Sequence, residues 1–284
     1  MKKVFAVSAA AVLAGITLTA CESTEPDTEA GGGEVAEDCT PAYEFTTVAE
    51  GQLTVAVPEF PPYSSPGGEG MENDMMEQIA ADNCLTVAYE EVTYANTVPT
   101  VQQGRADIGI GDYYRTVERS EVITFSTPTF LDEMAIISTD GLTTVSDIES
   151  MKVGTVDGYL WVPDMQDVMG ADNLQIYPSN VEMKNDLEAG RIDVGLDSFG
   201  AAIPAFEGSD YEVAAIEPDD RVASSVEAAQ SGFIMSSDDQ YADFREAVDA
   251  TVTTWHEDGT MVEFLESYGL PASSAEVGEP RLIE

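Results

Sequence analysis

Short hydrophobic runs typical of strands alternate along the chain with hydrophobic positions spaced as on one face of a helix. The runs "LTVAV", "LTVAYEEV", "ADIGIG" and "MAIIS" predict strands in the first half. Met75, Met76 and Ile79 lie on one face of a helix predicted over 72–82, and "TVPTVQQG" predicts a short helix that ends at Gly104. This alternation predicts an α/β domain with a mostly parallel sheet.

The alternation begins again in the second half. "MKVGTV", "LQIYP" and "DVGLD" predict strands, and 160–169 predicts a helix. "NVEMKNDLEAG" predicts another helix, with Asn180 as its N-cap and Gly190 just past its end. A long amphipathic helix over 238–256, a turn at "EDGT" and a last helix to Tyr268 follow. Two successive alternations predict two α/β domains.

The N-terminus has the features of an export signal. "MKK" is positively charged, and the apolar run over 4–18 is shorter than the roughly 20 residues of a membrane span. The following "LTAC" resembles the lipobox of bacterial lipoproteins, in which the cysteine, here Cys21, is lipidated. We therefore expect a lipoprotein signal peptide over 1–20 and an exported protein, held on the outer face of the cytoplasmic membrane by acyl chains such as palmitate. An ordinary signal peptide cut after Ala20 is the alternative.

The segment after Cys21 predicts a spacer. Residues 21–45 are acidic, rich in glycine and without periodicity, which predicts a flexible tether. Export leads to an oxidising compartment, and lipidation of Cys21 leaves an even pair of cysteines. We expect Cys39 and Cys84 to form a disulfide, with two free thiols as the alternative.

The charge of the chain excludes some partners. The sequence has 54 acidic and 11 basic residues, a net charge of −43, and 43% hydrophobic residues. The hydrophobic content is sufficient for a packed core, whereas the missing basic surface argues against a nucleic-acid partner. Two explanations of the acidic excess stay open: a high-salt source, or a general feature of the source's exported proteins.

No sequence motif indicates catalysis. The single histidine, His256, falls at the end of a predicted helix and cannot build the usual zinc cluster without nearby cysteines. Neither a G-x-S-x-G elbow nor a P-loop is present, and "GIGDYY" has Tyr114 where a dinucleotide fingerprint needs its third glycine. We therefore expect a binding protein without catalytic residues, cofactor or metal.

Two of the few basic residues, Arg115 and Arg119, lie close together in "GDYYRTVERSEVITFS". With its flanks this segment resembles the "D-[apolar]-G-x-T-x-T-x-E-R-x5-F-S-x-P-[aromatic]" segment of the bacterial extracellular solute-binding proteins of family 3, the amino-acid receptors of ABC importers. Alignment on "FS" places Arg119 where the family keeps the arginine that binds the ligand carboxylate. A surface arginine paired with Glu118 or Glu121 is the alternative. Arg115 falls on a variable position, where we expect a solvated or ion-paired side chain.

The resemblance covers nearly the whole exported chain. Further segments match the family in order: "GQLTVAVPEFPPYS", "GMENDMMEQIA", "VTYANTVPTVQQGRADI", "VSDIESMKVGTVDGY", "LEAGRIDVGLDS" and "WHEDGTMVEFLESYG". The resemblance implies a two-lobed, monomeric clamshell of the type II periplasmic binding proteins, each lobe a mostly parallel sheet flanked by helices. Lobe 1 would comprise 46–135 and 232–284, and lobe 2 would comprise 136–231.

The same resemblance implies roles for single residues. Arg119 would bind the α-carboxylate of the ligand, and Asp197 of lobe 2 would bind its α-ammonium. Phe60 and Tyr94 fall on the aromatic walls that enclose the ligand, although both could be core aromatics. Asp197 could instead be a turn residue at a strand end, and Tyr113 is expected to pack in the core.

The sequence departs from the family pattern at positions that would contact the ligand. Tyr114 replaces a threonine, Asp112 replaces a glycine or serine, and Tyr159 replaces a serine or threonine at the start of a lobe 2 helix. Val57 stands where cation-selective members can have an aspartate. Trp161 is expected to pack rather than to contact the ligand.

These departures bear on the ligand. Phe60, Tyr94 and Tyr114 together would form a three-sided aromatic box, which suits cations through cation–π attraction. Asp112 and Glu59 near the cleft would disfavour anionic side chains such as glutamate. The ligand we expect is a polar or cationic amino acid, or a compatible solute such as ectoine.

The function implied is a receptor that captures a small zwitterion by hinge closure and delivers it to an ABC permease. Two alternatives belong to other classes. One is an enzyme on the same fold, similar to cyclic-acid dehydratases, with Glu59 or Asp112 as its acid or base. The other is a sensory or structural ectodomain without transport.

Overall fold

The structure is a computed structural model that describes Val35 and residues 38–283. Within this range no helix combines the length and the hydropathy of a membrane span. The strands are β1 (Gln52–Val57), β2 (Thr86–Glu91), β3 (Ile108–Gly109), β4 (Thr124–Phe125), β5 (Leu131–Asp132), β6 (Met134–Ser138), β7 (Val153–Val156), β8 (Leu174–Tyr177), β9 (Val194–Ser198), β10 (Glu212–Ala215), β11 (Ala229–Gln230) and β12 (Ile234–Met235). The helices are α1 (Met71–Asp82), α2 (Tyr94–Gln102), α3 (Val117–Ser120), α4 (Val145–Ile148), α5 (Val162–Met169), α6 (Asn180–Glu188), α7 (Phe199–Phe206), α8 (Ala242–Asp258) and α9 (Thr260–Ser267).

The first sheet has the strand order β2-β1-β3-β12-β4. β1 pairs in parallel with β2 and β3, whereas β12 pairs antiparallel with β3 and β4. Alternate residues of β1, such as Leu53 and Val55, are fully buried, and Met75 and Met76 of α1 are buried as well. α1 lies against β2 and α9. We call the elements around this sheet lobe 1.

The second sheet has the strand order β10-β6-β9-β7-β8. β7 is parallel to β8 and β9, whereas β6 is antiparallel to β9 and β10. α6 packs on β7 and β9 through Met183 and Leu187. We call the elements around this sheet lobe 2. The predicted fold class, two α/β lobes with parallel strands and flanking helices, is confirmed. The antiparallel pairs of the two sheets involve β6 and β12, the first strands of each lobe after the chain has crossed from the other lobe.

The chain passes between the lobes twice. β5 leads from lobe 1 towards lobe 2, β11 leads back, and the two strands pair antiparallel. A two-stranded ladder between two larger sheets is a typical hinge, because few residues connect the two bodies. The lobe limits given above, at 135/136 and 231/232, lie within a few residues of this ladder and stay a prediction.

Some details of the helices differ from the sequence-based expectation. Ser179, rather than Asn180, is the N-cap of α6, because its hydroxyl oxygen accepts the backbone N–H of Glu182 at 3.3 Å. Gly190 follows this helix with a φ of +67°, as expected for a glycine that ends a helix. α7 and β10 have no counterpart in the predicted elements.

The predicted tether ends earlier than residue 45. Cys39 and Cys84 form a disulfide, and the backbone N–H of Ala42 donates to the carbonyl oxygen of Asp82 at 2.9 Å. The ring of Phe45 meets the buried Phe244 ring edge-on, with centroids 5.1 Å apart. These contacts attach 39–45 to lobe 1. The predicted signal peptide, Cys21 and most of the predicted tether lie outside the described residues.

Loss of this disulfide is expected to lower the free energy of unfolding by about 2–4 kcal/mol, because the bridge restricts the unfolded chain between two distant residues. Urea unfolding of a Cys39→Ser/Cys84→Ser double variant tests this. A Cys21→Ser variant is the control and should keep the midpoint of the parent protein. Equal midpoints for the double variant and the parent would contradict the expected contribution.

Candidate ligand-binding site

Aromatic side chains from both lobes line a small cavity of about 10 Å³. Phe60, Tyr94 and Tyr114 belong to lobe 1, whereas Tyr159 and Trp161 belong to lobe 2. The Tyr94 and Tyr159 ring centroids are 4.9 Å apart across the lobe boundary, and those of Phe60 and Tyr159 are 5.7 Å apart. The cavity therefore lies between the lobes, and the two lobes contact each other directly through its aromatic lining.

The lining residues follow the carboxyl ends of strands that run in parallel. Phe60 lies in the loop after β1, Asp112 and Tyr114 in the loop after β3, and Tyr159 in the loop after β7. Ser198 is the last residue of β9. Open α/β sheets bind ligands at this edge because the loops of adjacent parallel strands converge there. The topology therefore brings together residues that are far apart in the sequence.

Arg119 connects the two lobes at the edge of the cavity. It lies in α3, whose N-cap Thr116 accepts the backbone N–H of Arg119 at 3.1 Å. One terminal nitrogen of its guanidinium donates to the carbonyl oxygen of Tyr114 at 2.9 Å, and the other donates to that of Gly158 in lobe 2 at 3.0 Å. Its Cζ lies 5.3 Å from the centroid of the Tyr113 ring. Within the described part of the chain, no carboxylate forms an ion pair with this guanidinium.

Arg115 lies outside the cavity and is partly exposed, and its hydrogen bonds go to backbone carbonyl oxygens rather than to a carboxylate. Its guanidinium donates to the carbonyl oxygen of Ser126 and lies 5.6 Å from the centroid of the Phe125 ring. The Nε also approaches the carbonyl oxygen of Arg281 at 3.4 Å. Burial lowers the pKa of Arg115, with Asp249 opposing the shift. Arg115 therefore joins the C-terminal segment to lobe 1.

Asp112 is held in the cavity wall by a network of buried groups. Its φ of +52° is uncommon for a residue with a side chain. One carboxylate oxygen of Glu72 accepts the backbone N–H groups of Gly111 and Asp112, at 2.6 and 2.9 Å, and thereby holds this turn. The hydroxyl of Ser231 donates to the carboxylate of Asp112. Burial, and next the nearby carboxylate of Asp132, raise the pKa of Asp112 well above its usual range.

Asp197 lies one layer behind the cavity wall. One of its carboxylate oxygens accepts the Tyr159 hydroxyl and the backbone N–H of Ser198, both at 2.9 Å. Burial raises the pKa of Asp197 to about 7, because its few hydrogen bonds do not replace the lost hydration of the charge. Ser198 and Tyr159, rather than Asp197, line the cavity. A ligand ammonium would reach Asp197 only by displacing the Tyr159 hydroxyl.

Most of the chain matches a known family of proteins. The family model of the bacterial extracellular solute-binding proteins, family 3, matches residues 53–271. The chain belongs to this family. Glutamate-binding protein GluB of Corynebacterium efficiens is 26% identical to this family member over 300 residues, which covers 97% of this chain and 94% of the relative.

Solved structures of other solute-binding proteins share the fold. AbpA of Streptococcus pneumoniae bound to L-arginine, an amino acid ABC transporter substrate-binding protein, is 24% identical with a TM-score of 0.66, over 81% of this chain and 98% of that chain. EhuB in complex with hydroxyectoine is 20% identical with a TM-score of 0.66, over 81% of this chain and 92% of that chain. At these identities the likeness establishes the type II fold of this solute-binding protein.

The structure brings six of the seven predicted ligand-binding residues to one cavity. The lining comprises Phe60, Tyr94, Asp112, Tyr114, Arg119 and Tyr159, together with Leu160, Trp161 and Ser198. Trp161 was expected to pack, and it does both: its Nε1–H donates to the Thr155 hydroxyl at 2.8 Å while its ring lines the cavity. Its position two residues after Tyr159 is a local signal for this contact.

Other expectations near the cleft have mixed outcomes. Tyr113 stacks on Tyr94 with ring centroids 4.5 Å apart and donates its hydroxyl to the Tyr94 carbonyl oxygen at 2.6 Å, so it packs as expected. Glu59 is exposed, accepts the Ser65 hydroxyl at 3.2 Å and does not reach the cavity. Val57 is fully buried in β1. The solute-binding cleft therefore takes its acidic wall from Asp112 and not from Glu59.

Proposed function

We propose that this protein is the substrate-binding subunit of an ABC importer, which captures a small zwitterion and delivers it to a permease. The ligand is a polar or cationic amino acid. The position of Arg119 supports this most directly, since its guanidinium borders the cavity and contacts both lobes. A carboxylate bound there would join the lobes through one ligand group, so binding would favour the closed arrangement.

The ligand carboxylate would bind Arg119 in the bidentate geometry that a guanidinium provides. In the structure the guanidinium donates to two backbone carbonyl oxygens, which orient its plane. The ligand ammonium would bind on the acidic side, at Asp112 or, after rotation of the Tyr159 ring, at Asp197. Opposite charges on the two sides of the cavity suit a zwitterion and impose its orientation.

An anionic side chain such as that of glutamate is disfavoured at this site. The cavity has one cation, Arg119, while Asp112 lines it and Asp197 lies directly behind its wall. A second carboxylate on the ligand would face these acids in a region of low dielectric, where like charges repel strongly. The relative named as a glutamate-binding protein therefore does not set the ligand of this chain.

A compatible solute such as ectoine is the second candidate ligand. Phe60, Tyr94 and Tyr114 present ring faces and edges to the same small cavity, and Tyr159 and Trp161 complete the enclosure. Aromatic enclosures bind delocalised cations through cation–π attraction of about 0.5–2 kcal/mol for each ring. The structural likeness to EhuB in complex with hydroxyectoine is consistent with this candidate. An enzymatic function has less support, because Glu59, one of its two candidate acid–base residues, lies outside the cavity.

The anchoring and location belong to the same proposal. Export is consistent with membership of an extracellular family. The "LTAC" motif supports lipidation of Cys21 and attachment to the outer face of the cytoplasmic membrane. The segment before Cys39 would then connect the lipid anchor to lobe 1. A receptor tethered in this way stays close to its permease, which raises their effective concentration.

A thermal-shift screen of the purified protein against amino acids, ectoines and betaines tests the proposed function. A ligand present at 100 times its dissociation constant stabilises the folded state by about 2.7 kcal/mol. For a protein of this size, a melting temperature higher by roughly 5–10 °C is the expected result. If no zwitterion raised the melting temperature, the proposed receptor function would be wrong.

A further inference from the structure

The carboxyl groups around the cavity outnumber the positive charges that the proposed ligand would bring. Asp112, Asp132 and Asp197 are all buried, and Arg119 is the cation that borders the cavity. A simple zwitterion pairs its carboxylate with Arg119 and its ammonium with one carboxylate. On the proposed function, on which this inference rests, further carboxyl groups remain for a second positive group or for a proton.

Asp132 is the member of this set that the family resemblance does not point to. It lies in the hinge strand β5 with 6% of its surface exposed. One carboxylate oxygen accepts the Tyr63 hydroxyl of lobe 1, and the other accepts the backbone N–H of Gly200 in lobe 2 at 3.1 Å. The N–H of Glu133 donates to the same oxygen at 2.8 Å. Asp132 is therefore oriented from both lobes at once.

Asp112 and Asp132 form a pair. The hydroxyl of Ser231 donates to the carboxylate of Asp112, and Ser231 directly follows β11. In the hinge ladder, Ala229 of β11 pairs with Asp132 of β5, so the loop after β3 meets the hinge beside Asp132. Two adjacent buried carboxylates repel each other strongly, so such a pair retains one proton unless a cation replaces it. Burial and the carboxylate of Asp132 raise the pKa of Asp112, which agrees with a proton held between them.

An unpartnered hydroxyl independently indicates a ligand group at this place. The Tyr114 hydroxyl is buried and has no hydrogen-bond partner, while the residue is 4% exposed and lines the cavity. Tyr114 forms a backbone bridge with Ser231, whose hydroxyl donates to Asp112, and the carboxylates of Asp132 and Asp112 add to the effect of burial in raising the pKa of Tyr114. A buried hydroxyl without a partner costs about 1–3 kcal/mol, and a ligand donor would remove this cost.

We propose that Asp112 and Asp132 form a subsite for a positively charged side-chain group of the ligand, with the Tyr114 hydroxyl as its third polar contact. An ammonium or guanidinium group fits this subsite, since it donates several charge-assisted hydrogen bonds at once. The occupant is an organic cation, and the described residues contain no group of three or more carboxylate, histidine or cysteine side chains arranged to hold a metal ion. The ligand is then an amino acid with a net positive charge.

Binding at this subsite releases a proton. The ligand cation takes the place of the proton shared by Asp112 and Asp132, and that proton leaves to solvent, so charge balances on both sides. The other titratable groups around Asp112 either are carboxyls or are neutral near neutral pH, namely Glu72 of α1, Tyr63 beside the β1 loop, Tyr94 of α2, Tyr114 of the same loop and Tyr159 of lobe 2. Affinity for a cationic amino acid should therefore rise with pH more steeply than affinity for a neutral amino acid, whose ammonium also meets a carboxyl of raised pKa.

Titration calorimetry with L-arginine and L-citrulline tests the subsite, because these amino acids have nearly the same shape and differ by one positive charge. We expect the parent protein to bind L-arginine about 10- to 100-fold more tightly, the range expected for a charge-assisted hydrogen-bond pair. In Asp132→Asn the new amide can donate to Asp112 in place of the shared proton, so folding is preserved. The preference should then fall to within about 3-fold.

Two controls separate the pair from general electrostatics and packing. Glu133→Gln removes a neighbouring charge that lies outside the cavity, and it should keep the preference for L-arginine. Titrations in buffers of different ionisation enthalpy count protons. Near neutral pH the parent protein should release about one proton more with L-arginine than with L-citrulline, and this difference should disappear in Asp132→Asn. Tyr114→Phe should weaken L-arginine binding about 5- to 10-fold while it raises the melting temperature.

The possible failures are distinguishable. Equal affinity for both amino acids in the parent protein, or an unchanged preference in Asp132→Asn, overturns the subsite, while binding that still requires Arg119 leaves the receptor function intact. If neither amino acid binds to the parent protein, the subsite is also wrong. Failure of the receptor function has another signature, since no zwitterion in the thermal-shift screen would then bind.

Discussion

An Arg119→Ala variant should lose binding of the ligand that the thermal-shift screen identifies, with the dissociation constant raised at least about 100-fold. Two charge-assisted hydrogen bonds to a carboxylate disappear together, each worth about 1.5–3 kcal/mol. The variant also removes the hydrogen bond from α3 to the Gly158 carbonyl oxygen of lobe 2, so the closed arrangement loses a direct connection between the lobes. Titration calorimetry of the purified variant measures the effect, and circular dichroism reports whether it is folded.

Arg115→Ala is the matched control, because it removes a guanidinium four residues away in the same segment. Arg115 donates to the Ser126 carbonyl oxygen and lies beside the Phe125 ring, so this variant should be less stable and yet bind the ligand. Arg119→Lys is a second variant that keeps the charge but not the bidentate geometry, and an intermediate affinity is expected. Loss of binding in Arg115→Ala with binding retained in Arg119→Ala would contradict the assignment.

The protein is expected to be more stable at about pH 5 than at about pH 8. Burial raises the pKa of Glu72 and of Asp197 to about 7 each. A carboxyl whose pKa is higher in the folded state binds more protons when folded. The stability it contributes is therefore complete below its unfolded pKa and is lost as the pH rises through its folded pKa. For each group the loss is on the order of 3–4 kcal/mol between about pH 4.5 and pH 7.

Urea unfolding over this range of pH measures the free energy, and two variants identify its source. Glu72→Gln does not titrate, while its amide oxygen can still accept the N–H groups of Gly111 and Asp112, so its pH dependence should be flatter by about 3 kcal/mol. Glu69→Gln changes an exposed acid in the loop just before α1 and should keep the parent dependence. Equal slopes in both variants would rule out Glu72 as a source.

The salt dependence of stability distinguishes the contribution of these buried carboxyls from that of the surface charges. The net charge of −43 also destabilises the folded protein as carboxyls ionise, in the same direction as the buried acids. At about 1 M salt the screening length falls to about 3 Å, which removes most of the surface repulsion. The contribution of Glu72 should persist there, because a fully buried charge is screened much less.

The strands and helices could largely be predicted because their signals are local. The period of hydrophobic residues and the glycines with positive φ, such as Gly104 and Gly190, mark elements within short windows. The N-cap of α6 was placed one residue late because Ser179 and Asn180 are both good caps, and the backbone geometry decides between them. α7 has the apolar sequence "FGAAIPAF" without a polar face, so periodicity does not reveal it.

Most residues of the candidate site could be predicted because each of them follows a predicted strand of its own lobe. Phe60, Tyr94, Asp112, Tyr114 and Tyr159 all come directly after such strands, and Arg119 follows from its spacing to "FS". Their binding of ligand stays a prediction, because the structure shows only that they line the same cavity. The local sequence does not show how far a side chain lies from the cavity. Asp197, for example, lies behind the Tyr159 hydroxyl and does not line the cavity.

The sequence by itself determined which residue types follow the carboxyl ends of the strands, and hence that aromatic rings, one arginine and several carboxyls meet in a cleft. Only the tertiary structure decided how the carboxyls are used. Glu72 holds the Asp112 turn from 40 residues away in the chain, and Asp132 of the hinge is oriented by hydrogen bonds from both lobes. Hydrogen bonds between distant segments leave no periodic pattern in the sequence, because the tertiary packing and not the local backbone determines which groups meet.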